Sequence, residues 1–316
     1  MKKFVRAALK QRDLRDSVAL ERRIKAIVGD QGLPLVDVGA AGEIQARWHK
    51  LRHLLDYVGF EPDPRSHSQL LTEVQPCQSY RIEPTALGSE VGIKELTLCR
   101  KPMVSSLLTP NTDWLTRFPD VDRFDLIARQ AVQTIPLDNI GLPAWFFMKM
   151  DTQGYELEIL KGATRSLQTC VGLEVEIWFQ QNYLDQPMFG DVTRYLERHG
   201  FEFVDFCRLE RWERHRHAGF GQLVWGDALY LRSPEWICSQ PFDEAMIRNY
   251  VAVCTLYTRF DLIQQVLANS GWKPDSTILS SLRDLQTSYE SSLRSANRWT
   301  RLMRVLHSRP HAHFLT

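Results

Sequence analysis

Leu33-Pro34-Leu35-Val36-Asp37-Val38-Gly39-Ala40-Ala41-Gly42 is the stretch on which the fold turns. Leu35–Val38 reads as a short apolar strand that runs into a cluster of small residues, and residues 43–54 read as the helix that follows. Small residues at such a junction let backbone approach a ligand closely. The start of the helix offers free N–H groups and the positive end of its dipole to an anionic group. Asp37 adds a negative charge suited to a cationic ligand group. Alone, the pattern also fits any tight strand-to-helix turn.

The neighbouring residues narrow this reading. Tyr57–Glu61 is a second strand, stopped by Pro62 and Pro64. Glu61 lies 22 residues after Gly39, at the end of that strand. An acid at this distance hydrogen-bonds the ribose hydroxyls of a bound nucleoside. The two motifs together point to an adenosine-type cofactor, either NAD or S-adenosylmethionine (SAM). The glycines do not follow G-x-G-x-x-G, so a pyrophosphate cradle is incomplete and SAM is favoured. Trp145–Met150 is a third, continuous apolar strand broken by Lys149, and Gly154 turns the chain into a helix over Tyr155–Leu167. Asp151 follows that strand. It reads either as a residue facing the reacting end of the cofactor or as a cap on the helix.

Tyr80–Ile82, Ile93–Cys99, Gly172–Phe179, Phe201–Phe206 and Gln222–Leu231 read as further strands, and Val192–His199 as a helix. Residues 101–130 are loop-rich, with Pro102, Pro110 and Pro119, and read as an insertion or lid spanning about 89–133. Strands alternating with helices predict an α/β fold, a doubly wound and mostly parallel sheet. The last two strands follow each other without a helix, so they should pair antiparallel at the sheet edge. The expected result is a seven-stranded sheet with an antiparallel edge strand, an N-terminal amphipathic helix over 1–32, and a polar-faced helical C-terminal extension over 236–316.

The run Lys149-Met150-Asp151-Thr152-Gln153-Gly154-Tyr155-Glu156-Leu157-Glu158-Ile159-Leu160-Lys161-Gly162-Ala163 resembles the signature of the FkbM-type methyltransferase family. Val36–Ala40, Gly59–Pro62, Ala86–Gly88, Ser105–Leu107, Leu137–Asp138, Phe189–Val192 and Trp225–Ala228 match it in family order, so the resemblance covers about residues 34–232. It implies a class I, Rossmann-like, SAM-dependent methyltransferase domain over 33–235 that acts on a hydroxyl of a sugar, glycan or secondary metabolite. By the same resemblance Asp37, Gly39, Ala40 and Gly42 would hold the methionine part, Glu61 the ribose, Ala86 and Leu87 the adenine, and Asp151 the sulfonium end.

A hydroxyl is a poor nucleophile, so methyl transfer to oxygen gains from a base. Asp151, Glu156, Glu174 and Glu176 are the candidates. Glu174 and Glu176 alternate on one strand and share a face, where they could equally form ion pairs beneath the helices. Arg208–Phe220 reads as a long polar turn overhanging the site. Its Arg211, Arg214 and His215, with Ser106 and Trp178, are the candidate acceptor contacts. Cations beside an aromatic suit an acidic or phosphorylated sugar, although a solvated loop has the same composition. His215 and His217 are a weak metal pattern, and no metal is assigned.

The chain has 316 residues and a net charge of +1, with no whole-chain nucleic-acid signature. Residues 1–26 carry +6 and residues 291–316 carry +5, which leaves −10 for the body. The basic ends could touch a membrane face or a biosynthetic complex, or be solvated helix faces. Six cysteines without a CxxC pair suggest a reducing, cytoplasmic setting. The competing readings are an NAD-dependent oxidoreductase, for which no phosphate loop is seen, and a non-catalytic SAM-binding scaffold.

Overall fold

The computed structural model describes residues 18–73, 75–215 and 219–306. The basic run before residue 18, the pair Arg216 and His217, and the tail from residue 307 lie outside the described residues. The N-terminal helix is seen as α1 over residues 18–28.

Seven strands form the main sheet: β1 (Leu33–Val38), β2 (Leu55–Phe60), β3 (Ser79–Glu83), β7 (Phe146–Met150), β8 (Cys170–Trp178), β9 (Phe201–Trp212) and β10 (Gln222–Arg232). Their order is β3-β2-β1-β7-β8-β10-β9. All neighbours from β3 to β8 run parallel. The antiparallel pairing falls at the edge as expected, with the reversed strand β10 inserted between β8 and β9. β1 and β8 are buried along their whole length because the sheet is covered on both faces there, and Asp37, Glu174 and Glu176 are buried with them.

Helices cover both faces. One layer packs α1, Trp48 of α2 (Ala46–His49), α8 (Glu244–Leu256) and α9 (Phe260–Asn269) on β1 and β2. The other packs α5 (Glu156–Lys161) and α6 (Phe189–Arg198) on β7 and β8. The polar-faced reading of 241–306 is corrected for α8, which is buried at nearly every position from Met246 to Leu256. A helix apolar all round belongs in a core. Among the described residues no helix is long and apolar enough to cross a membrane.

Three local readings also change. The helix expected over 43–54 is only the four residues of α2 and a short 3-10 turn, Arg52–Leu54. The one expected over Tyr155–Leu167 stops after Lys161. The insertion is not only loop: β6 (Leu126–Ile135) pairs with β5 (Gly92–Cys99) and β4 (Ala86–Leu87) in a separate three-stranded sheet. Pro62 and Pro64 stop β2 as expected and also start α3 (Pro64–Thr72), where Asp63 accepts the Arg65 N–H at 2.9 Å and Pro64 fills a position that needs no donor.

Candidate active site

Strand order reverses between β1 and β7, and the carboxyl ends of the strands meet there. Register and the two-residue strand period put the chemistry on one face. Asp37, Lys149 and Glu174 stand side by side on β1, β7 and β8. One repeat further along the strands, Glu176, Asp227 and Arg208 stand side by side on β8, β10 and β9. Asp151 leaves β7 on the same side, its N–H bonded to the Val38 carbonyl at 2.9 Å.

Two clefts open on this face. The first, ≈ 680 Å³ with its open mouth included, is lined by Gly39, Ala41, Glu61, Ala86, Leu87 and Asp151, among others. Gly39 must be glycine: its φ is +79°, and a Cβ there would lie 1.9 Å from the Asp151 carbonyl oxygen. The N–H groups of Gly39 and Ala40 both donate to the Phe60 carbonyl at 3.0 Å, which fixes the loop to the end of β2. Glu61 is buried and accepts the Asp63 N–H at 2.8 Å. Burial pushes its carboxyl up to about 7.

The second cleft, ≈ 880 Å³, shares Met103, Asp151 and Gln153 with the first. Glu176, Trp178, Arg208, Trp212 and Trp225 line its far side. Gln153 is the hinge between the two. Its side-chain amide nitrogen donates to Asp151 at 2.9 Å and to both oxygens of Glu176 at 3.1 and 3.0 Å. Its amide oxygen accepts the Tyr183 hydroxyl at 2.9 Å. Its backbone takes the left-handed conformation, φ +57°, which non-glycine residues adopt uncommonly. Burial raises Glu176 well above the ordinary carboxyl range, and the charges of Asp151, Glu156 and Asp227 add to it. Burial, with the charges of Asp151 and Glu174, pushes Asp227 up to about 7.

The Methyltransferase FkbM domain matches residues 37–203, more than half of the chain and the stretch that carries both clefts up to β8. The chain belongs to the FkbM methyltransferase family. Similar solved structures include methyltransferase FkbM from Methylobacillus flagellatus KT (19% identity, 63% of this chain and 43% of that chain, TM-score 0.39). The chain thus spans less than half the length of that FkbM protein. Others are the magnesium protoporphyrin IX methyltransferase of Synechocystis PCC 6803 with bound SAM (9% identity, 73% and 84%, TM-score 0.34) and the Burkholderia thailandensis 1,6-didemethyltoxoflavin-N1-methyltransferase (11% identity, 73% and 86%, TM-score 0.32). No curated protein matches the chain.

Within this FkbM domain the expected site residues divide. Gly39, Glu61, Ala86, Leu87 and Asp151 line the first cleft. Ala40 and Gly42 do not: Ala40 is packed beneath the loop, and Ala41 faces the cleft instead. Asp37 is also set back. It is buried, accepts the Tyr57 hydroxyl at 2.9 Å and pairs with Lys149 at 3.3 Å, so a protein ammonium already occupies the place expected for a ligand's. Nor does a helix start present its dipole to the cleft, since α2 begins only at Ala46 and spans four residues.

Glu156 faces neither cleft. Its Oε1 accepts the N–H groups of Thr152 and Gly154 and the Thr152 hydroxyl, which makes it the anchor of the 151–154 turn. Glu174 is held by Gln45 at 2.5 Å, Arg47 at 2.8 Å and Tyr257 at 2.5 Å, and has no room for a substrate. Ser106 lines the first cleft, not the second. Its hydroxyl is used up, donating to the Gln153 carbonyl at 2.8 Å and accepting from Leu108 N–H at 3.0 Å. Trp178 lines the second cleft. Arg211, Arg214 and His215 line neither cleft and are exposed. The stretch read as a turn is strand up to Trp212. Alternation therefore puts Arg208, Glu210 and Trp212 on the cleft face and sends Arg211 to the other.

Lys149 and Gln153 were not among the expected site residues. Lys149 donates to the Gly39 carbonyl at 3.2 Å and lies 3.6 Å from Asp151 as well as beside Asp37. Burial alone would lower its ammonium, but the charges of Asp37 and Asp151 outweigh this and hold it above its ordinary range. The signal was present: a lysine inside an apolar strand must find carboxylate partners.

Proposed function

We propose that this chain transfers the methyl group of SAM to a hydroxyl of a sugar, glycan or secondary metabolite. The observation that carries this reading is the junction of the two clefts at Asp151 and Gln153, with a buried carboxyl, Glu176, just beyond it. The donor set suits the cofactor. Glu61 offers a carboxylate to vicinal ribose hydroxyls, Ala86, Leu87 and Ile159 offer apolar walls to a purine, and Asp151 brings negative charge to the sulfonium end. SAM supplies a methyl on positively charged sulfur, and transfer to oxygen breaks the methyl–sulfur bond and releases S-adenosylhomocysteine.

The chain's own work is to align the acceptor and take its proton. Two clefts that meet at one point convert a bimolecular encounter into a positioned one. Glu176 is the base. Burial and neighbouring carboxylates make its carboxylate more basic than an exposed one, and the Gln153 amide orients it. The proton leaves the acceptor hydroxyl for Glu176 as the new C–O bond forms.

The test is transfer of labelled methyl from SAM to a panel of glycosides, with Glu176→Gln as the variant. Wild type should label at least one hydroxylated acceptor. The variant should lose at least about 100-fold in kcat, the usual contribution of a general base, and bind SAM as tightly as wild type. Equal turnover by the variant would remove Glu176 from the mechanism. Labelling confined to nitrogen or carbon acceptors would overturn O-methylation.

A further inference from the structure

We propose that the second cleft takes an acceptor ring bearing an oxyanion, a carboxylate or a phosphate group, and that Arg123 and Arg208 receive that group. The inference rests on reading this cleft as the acceptor side of a methyltransferase. It adds an anion subsite that methyl transfer itself does not require.

Three tryptophans line the cleft, Trp178, Trp212 and Trp225. Their flat apolar faces match the C–H faces of a sugar ring, and an indole can also hold a cation. Two cleft arginines are held in this way. The Arg123 guanidinium lies 4.6 Å from the Trp212 ring centre and 5.1 Å from that of Phe124, and Arg208 lies 4.7 Å from that of Trp225. A stacked guanidinium has its fork oriented before the ligand arrives, and that fork matches a carboxylate or phosphate. Arg208 already has Glu210 at 3.0 Å. Arg123 has no carboxylate within ion-pair distance among the described residues.

Several polar atoms on cleft residues also lack partners. Arg123 Nε, Trp178 Nε1 and both side-chain polar atoms of Asn182 are buried without a hydrogen bond. Buried polar groups are nearly always paired, so three open donors around one cleft, Arg123 Nε, Trp178 Nε1 and Asn182 Nδ2, with Asn182 Oδ1 as an open acceptor, point to a ligand rich in acceptor oxygens that also carries a hydroxyl. The two ends of the cleft also differ in charge: Arg123 and Arg208 stand against Glu210 at one end, which leaves it net positive. The other end, which meets the cofactor cleft, carries the carboxyls of Asp151 and Glu176. Arg208 stands two strands from Glu176 at the same level. An anionic sugar therefore has one favourable orientation, with its charge on the arginines and a hydroxyl toward Glu176.

The test titrates the protein, saturated with S-adenosylhomocysteine, with methyl glucuronide, glucose 6-phosphate and methyl glucoside, read by tryptophan fluorescence. At least one anionic probe should bind at least tenfold tighter than the neutral one, with a preference that fades as salt is raised. Arg123→Gln should lower anionic affinity roughly 10- to 100-fold, the range of a charged hydrogen bond. Arg123→Lys should fall between, and SAM affinity should be unchanged in both, which shows that they fold. A preference for the uronate or for the phosphate identifies the source of the oxyanion. Equal binding of all three probes, binding of none, or an Arg123→Gln variant that keeps the preference would overturn the proposal. Methylation of the neutral glycoside as readily as the anionic ones would overturn it while leaving methyl transfer standing. Anion binding that Arg123→Gln abolishes, with no methylation of any acceptor, would instead sink the proposed reaction and keep the subsite.

Discussion

Lys149→Met should destabilise the protein by about 3–5 kcal/mol at pH 8, the usual cost of leaving one member of a buried ion pair alone. The magnitude follows from what remains. Asp37 is 4% exposed, and its Oδ1 has no hydrogen-bond partner, only the ammonium 3.3 Å away. Without Lys149 the carboxylate keeps the Tyr57 hydroxyl on Oδ2 and nothing on Oδ1. Methionine is close to lysine in length, so the loss is one of charge rather than packing. The pH dependence has a definite sign. Burial already raises the Asp37 carboxyl in the folded protein, and removing the cation raises it further. A folded-state acid above its unfolded value binds an extra proton in the window between the two, so stability falls as pH rises through that window. The deficit of the variant should therefore be smaller at pH 5 than at pH 8. Asp37→Asn combined with Lys149→Met removes both charges and should recover more than half of the loss. Denaturant unfolding at the two pH values reads all of this. A single variant within about 1 kcal/mol of wild type at pH 8, or a double variant no more stable than the single, would refute the argument.

Gly39→Ala should abolish measurable SAM binding and lower the melting temperature, because its Cβ would meet the Asp151 carbonyl at 1.9 Å in a left-handed backbone. Calorimetric titration and thermal unfolding check it. Glu61→Gln should weaken SAM roughly tenfold or more by replacing a charged acceptor with a neutral one. In wild type the affinity should climb with pH through about 7 as Glu61 ionises, and Glu61→Gln should flatten that climb. The same raised carboxyl costs stability as pH rises from the ordinary glutamate range through about 7, so Glu61→Gln should unfold later than wild type at pH 8. Arg232→Met should destabilise by about 2–5 kcal/mol, measured by denaturant unfolding. The guanidinium is buried between Phe201 and Trp236 and donates to the carbonyls of Leu167, Cys170 and His199, three hydrogen bonds that methionine cannot replace.

Gly39, Glu61 and Asp151 could be read from sequence because each sits at the end of an apolar strand, where a local pattern marks it. What depended on pairing between strands could not. Lys149 shows only as a flaw in an apolar run until register sets it between Asp37 and Glu174. β6 was hidden because it is exposed over most of its length and so lacks the alternation of a half-buried strand. α8 was misjudged because polar residues after 256 dilute an apolar run when the whole window is averaged. Arg208–Phe220 failed for the opposite reason. Its polar residues suggested a turn, yet the strand continues to Trp212, and the two-residue period then selects which arginines reach the cleft.

Glu174 and Glu176 show most directly why residue type alone does not assign a role. They are two positions apart on one strand, both buried, on the same face. The difference is how far the covering helices reach. α2 and its preceding loop bring Arg47 and Gln45, and the end of α8 brings Tyr257, to the level of Glu174, where three donors fill it. One strand repeat further the cover has ended. Glu176 meets the Gln153 amide, Asp151 and the open cleft, so the burial that makes its neighbour structural makes it basic. The helices after residue 240 thus bear on the site without touching it. Tyr257 ties α8 to the strand that carries Glu176, and α8 is packed in the same core as α1 and β1.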